Sequence, residues 1–67
     1  MNVRNVGSYE IVFCDHNDKR IKETTLDLSL HESIQLASDY TNDNPLIKSF
    51  FINKVVHNSK YNVHTVK

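Results

Sequence analysis

One segment of this chain carries both a start and a stop for a helix, and everything else has to be arranged around it. Ser29-Leu30-His31-Glu32 is a capping box: the Ser29 hydroxyl can accept from the Glu32 amide while the Glu32 carboxylate reaches back to the Ser29 amide. Pro45 disfavours helical geometry at Asn44, so the helix is predicted from Ser29 to about Thr41, ending by Asn42. At about 100° per residue, Leu30, Ser33, Ile34, Ala37, Tyr40 and Thr41 form one stripe flanked by Leu36. His31, Glu32, Gln35, Ser38 and Asp39 form the opposite, polar face. Such a helix must lie on an apolar surface that the rest of the chain supplies.

The flanking segments alternate with the period of strands. Tyr9, Ile11 and Phe13 share one face of a strand over Tyr9 to Cys14, and Arg20 to Leu26 is its return partner across the turn Asp15 to Lys19. Pairing Cys14 with Arg20 sets Phe13 against Ile21 and Ile11 against Glu23. After the turn cluster Asn42-Asp43-Asn44-Pro45, Ile47 to His57 reads as the longest strand and Lys60 to Val66 as its hairpin partner around Asn58-Ser59. Pairing His57 with Lys60 places Phe50, Ile52, Val56, Tyr61 and Val63 on the core face. Lys54 is the misfit, accommodated by a bulge or by an edge position. Phe51, Asn53, Val55, His57, Asn62 and His64 take the other face. The expected fold is α+β: one small domain over residues 1–67 in the order ββαββ, an antiparallel sheet of about four strands with one helix on one face and the other face open.

Composition narrows the class. Sixty-seven residues allow one domain, and a chain of this size buries only about 60% of its unfolded surface, so association can contribute to its stability. Eight Lys/Arg balance eight Asp/Glu, and 39% hydrophobic against 24% charged residues is a globular balance. Neither a disordered tail nor a uniformly basic nucleic-acid binder fits. A single cysteine, Cys14, excludes an internally stapled miniprotein and suits a reducing compartment, and the polar start Met1-Asn2-Val3-Arg4-Asn5 has no leader-like apolar stretch. With no apolar run long enough for a membrane span, a soluble cytoplasmic protein is expected.

Residue types that carry chemistry are present but scattered. In the proposed register His57 and His64 share a sheet face yet lie roughly 13 Å apart along it, too far for one ion; His16 is in a turn and His31 on the outer helix face. No metal site is expected. Asp15-His16-Asn17 resembles the opening of a calcium loop, but Lys19 and Arg20 follow and no glycine permits the sharp turn, so it reads as a polar hairpin turn. Nothing in the spacing holds Cys14 near a histidine, no glycine loop could cradle a phosphate, and no paired carboxylates are evident. The chain is expected to be no enzyme and to need no cofactor.

The distribution of charge is more informative than its sum. Arg4, Lys19, Arg20, Lys22, Lys48, Lys54, Lys60 and Lys67 all lie outside the helix, whereas the helix and its flanks carry Asp27, Glu32, Asp39 and Asp43. A basic sheet side and an acidic helix side are expected. Arg20, Lys22, Phe51, Asn53, Lys60 and Asn62 are assigned to the open face as candidate partner-binding residues, accompanied by Val12 and Val55. A Phe with two Val on an open face of so small a protein exceeds what solvation requires, and the mixture suits phosphate contact, base stacking or protein docking.

The arrangement resembles the small anti-CRISPR proteins of phages and mobile elements, in particular type I-F inhibitors with two hairpins flanking a single helix. The resemblance runs through Ser29-Leu30 at the cap, Ala37-Ser38 in the helix and an alternating hairpin from Ser49 to Val63. It implies a non-catalytic inhibitor that binds a crRNA-guided complex and obstructs nucleic-acid access, in the host cytoplasm if phage-encoded. It assigns no residue as a contact. Two other classes stay open: a direct nucleic-acid binder with Phe51 as stacking platform, which the zero net charge disfavours, and a homodimer formed through the open sheet or a terminal edge strand.

Overall fold

The computed structural model describes residues 6–66. The elements run in the expected ββαββ order: β1 (Val6–Cys14), β2 (Arg20–Ser29), α1 (Leu30–Asn42), β3 (Ser49–Val56) and β4 (Ser59–Val66). They form one four-stranded antiparallel sheet in the order β2-β1-β3-β4. β2 and β3 therefore run parallel with β1 between them, and α1 is the crossover that joins them, a split β-α-β unit.

The helix starts where the capping box requires. Ser29 Oγ accepts from the Glu32 amide at 3.1 Å and the Glu32 carboxylate accepts from the Ser29 amide at 3.3 Å. Ser33, the fully buried polar residue of that stripe, donates its hydroxyl to the Ser29 carbonyl at 3.0 Å, which makes its complete burial tolerable. Beneath α1 lies the core of Tyr9, Ile11, Phe13, Ala37, Ile47, Phe50 and Ile52, with Leu26, Leu30, Ile34 and Tyr40 packed around it. Phe13 anchors it, its ring 4.9 Å from Tyr40 and 6.3 Å from Phe50 between centroids.

Two bulges correct the expected registers. Cys14 does pair with Arg20, but Phe13 pairs with Lys22 and Ile11 with Thr24, so Ile21 is an extra residue in β2 rather than the partner of Phe13. Because side chains alternate along a strand, one extra residue exchanges the faces of everything beyond it. In the second hairpin the two-residue turn is His57-Asn58, one position before the expected Asn58-Ser59, and Val56 pairs with Ser59. His57 lies in the left-handed region at φ 55°, outside the strand to which it was assigned. Lys54 pairs with Tyr61 and Asn53 with Asn62, whereas Ile52 pairs with His64, leaving Val63 as the extra residue. His64 consequently moves to the helix side, its ring stacked on Phe50 at 6.0 Å, and Val63 is not part of the core. Lys54 lies on the helix side opposite Tyr9 and remains exposed; it pairs regularly with Tyr61, and the bulge of this hairpin is at Val63 in β4, opposite the step from Ile52 to Asn53.

Candidate functional site

The face opposite α1 is built from every second residue of the sheet. Read across β2, β1, β3 and β4, its rows are Glu23, Val12, Phe51 and Thr65; Thr25, Glu10, Asn53 and Asn62; and Asp27, Ser8, Val55 and Lys60, with Arg20, Cys14 and Ser49 beyond the first row. Five of the six expected residues thus meet on this face. The exception is Lys22: the bulge at Ile21 turns it to the helix side, where its ammonium lies 5.2 Å from the centre of the Tyr40 ring.

Among the described residues no layer covers this face, yet its centre is closed to solvent. Glu10 and Cys14 are nearly inaccessible and Val12 is fully buried. Long side chains from the outer strands provide the cover. The Arg20 guanidinium lies 5.4 Å from the centre of the half-buried Phe51 ring and donates to Glu23 Oε2 at 3.3 Å. Lys60 reaches across β3 to donate to Glu10 Oε2 at 2.8 Å, and Asn53 donates to Glu10 Oε1 at 3.1 Å. Both carboxylate oxygens of Glu10 are therefore engaged. The Lys60 hydrogen bond, then that of Asn53, holds the Glu10 carboxyl below its ordinary pKa of 4.5 against the opposing effect of burial. At the far corner Ser8 donates to Asp27 at 2.7 Å.

These contacts overturn the expected charge polarity. Among the described residues, two cations on the open face, Arg20 and Lys60, stand among three carboxylates, Glu10, Glu23 and Asp27, and each of these cations has a carboxylate partner. Lys22 and Lys54 lie on the helix side, and Arg4 and Lys67 lie outside the described residues. The helix itself is acidic as expected, with no basic residue in its last turn. Glu10 and Glu23 belong to the site although sequence reasoning left them out. Glu10 had a signal: it shares the parity of Val12 and Cys14, opposite to Tyr9, Ile11 and Phe13. Glu23 had none, because its face depends on the bulge at Ile21.

The remaining groups with chemical potential stay apart. Asp15 closes the first hairpin on itself, its carboxylate accepting from the Asn17 and Lys19 amides at 2.8 and 2.9 Å, and these bonds lower its pKa, that from Lys19 most. His16 contacts the Pro45 carbonyl at 3.1 Å, tying this turn to the loop before β3. Among the described residues no three His, Cys, Asp or Glu side chains converge on a point where an ion could sit, and no helix is long and apolar enough to cross a membrane. Comparison of the chain with protein families, curated proteins and solved structures found no match in any of the three.

Proposed function

We propose that this protein is a non-catalytic binding module that recognises a protein or ribonucleoprotein through the sheet face opposite α1. The observation that carries this reading is the Arg20–Phe51 stack beside the Glu10–Lys60–Asn53 network. Arg and aromatic residues are enriched at interface hot spots, and here they are held in place before any partner arrives. Pairing of both cations with carboxylates, and the presence of a third carboxylate, favour a protein surface over bare nucleic acid, whose binding draws on unpaired cations facing phosphate. A base could stack on Phe51 only by displacing the guanidinium.

The narrower form of the proposal is an inhibitor, encoded by a phage or mobile element and acting in the host cytoplasm, that occupies a crRNA-guided defence complex and keeps nucleic acid out. It rests on the resemblance of the element order to that of small anti-CRISPR proteins. The test is competition. A purified type I-F surveillance complex is titrated with this protein, and binding of target duplex DNA is measured. Loss of DNA binding that Phe51→Ala and Arg20→Glu each relieve supports the inhibitor. Undiminished DNA binding at saturating protein removes it. Tight association with bare DNA that falls steeply with salt would favour the direct nucleic-acid reading instead. If substitutions at Gln35 or Asp39 on the helix act where those at Phe51 and Arg20 do not, the binding face is the wrong one.

A further inference from the structure

Among the described residues the sheet has two free edges, β2 and β4, and they differ in chemistry. β2 carries Arg20, Lys22, Glu23 and Asp27, the kind of charged edge that deters pairing with another chain. β4 carries a single Lys, Lys60, and it exposes Tyr61, Val63 and Val66. α1 packs on β1, β2 and β3. On the helix side, Tyr61 and Val66 therefore remain uncovered.

We infer that the protein forms a symmetric dimer in which β4 pairs antiparallel with β4 of a second copy, joining two four-stranded sheets into one of eight strands. A two-fold axis normal to the sheet keeps both helices on the same side, so paired residues must share a face. Lys60, Asn62 and Thr65 occupy the open face, and Ser59, Tyr61, His64 and Val66 the helix side, with Val63 bulged out. Setting Asn62 against Asn62 of the second copy uses the whole strand and satisfies that condition throughout. Tyr61 then meets His64 of the second copy, Ser59 meets Val66 and Lys60 meets Thr65. The aromatic pair forms twice, and no like charges face each other. The same construction on β2, centred on Thr25, places Glu23 opposite Asp27 of the second copy on both sides of the axis, a repulsive arrangement. Self-complementarity thus selects β4. The contact is confined to one strand edge, at the small end of specific interfaces, so the dimer forms reversibly with concentration. It leaves both open faces accessible and brings them side by side, and so it is independent of the function proposed above.

Sedimentation equilibrium from micromolar to millimolar protein tests this. A monomer–dimer equilibrium is expected. Asn62→Lys sets two ammonium groups across the axis from each other and should weaken the dimer by about tenfold, whereas Thr25→Lys, its counterpart on β2, should leave it unchanged. Circular dichroism of both variants verifies that each is folded. As a second measurement, Asn62→Cys should form a disulfide-linked dimer on mild oxidation, since residues paired across an antiparallel ladder lie within disulfide reach, and Thr25→Cys should not. A monomer throughout the range, a dimer that withstands Asn62→Lys, or cross-linking through Thr25→Cys in place of Asn62→Cys would overturn the inference.

Discussion

Ile11 and Val12 are neighbours in β1 and both fully buried, yet water is kept from them by different means. On the Ile11 side a helix laid over the sheet supplies a dry layer of Ala37, Ile34 and Tyr40 on Phe13, Phe50 and Ile52. On the Val12 side no backbone element lies above among the described residues. There the cover is a set of side chains reaching inward: Arg20 over Phe51, and Lys60 held to Glu10. A layer of secondary structure is a fixed part of the fold. A cover of ion-paired side chains can be exchanged for a partner's surface without unfolding anything, which suits a binding face to the second side and not the first.

Substitutions separate these two kinds of burial. Phe13→Ala should have the largest effect, about 3–5 kcal/mol, because it empties the centre of the helix-covered core. In so small a domain that loss should abolish cooperative unfolding in urea. Val12→Ala removes as completely buried a residue from the other side but fewer atoms, and exposed side chains can settle into the space. It should cost about 1–2 kcal/mol, read as a lower urea midpoint with an intact transition. A Val12→Ala variant as damaged as Phe13→Ala would mean that the open face is a second core and not an adaptable cover.

Glu10 sharpens the comparison through pH. Its folded pKa lies below the ordinary 4.5, so its contribution to stability is complete above that value and is lost as pH falls through the folded pKa. The urea midpoint should therefore drop on acidification below about pH 4.5, and Glu10→Gln should flatten that part of the profile while costing about 1 kcal/mol at neutral pH. Asp15, lowered in the same direction, contributes to the same acid limb, so the Gln variant should retain some slope. A profile unchanged by Glu10→Gln would show that the Lys60 contact is not formed in solution.

Arg20→Ala should have the smallest effect on the fold, within about 0.5 kcal/mol, because its ion pair with Glu23 is exposed. If Phe51 is an anchor for a partner, Phe51→Ala should cost about 2 kcal/mol or more in binding. A stability loss at Arg20 as large as the binding loss would make the guanidinium a structural cover alone.

The sequence by itself determined the elements and which side of β1 faces the helix. The capping box at Ser29 and Glu32, the stop before Pro45 and the alternation of Tyr9, Ile11 and Phe13 are local signals, each set by neighbours within a few residues, and all three appear in the structure. The same local parity placed Arg20, Phe51, Asn53, Lys60 and Asn62 on one face. Lys22, His64 and the balance of charge on that face were decided by tertiary structure. Each depends on a single extra residue, Ile21 in β2 or Val63 in β4, and a bulge has no compositional mark when the residue it inserts is an ordinary β-former. Whether an extra residue is accommodated rests on what the whole ladder gains by burying Phe13 against Phe50 and Tyr40 and by stacking His64 on Phe50. Those partners are distant in sequence and meet only when the sheet is assembled.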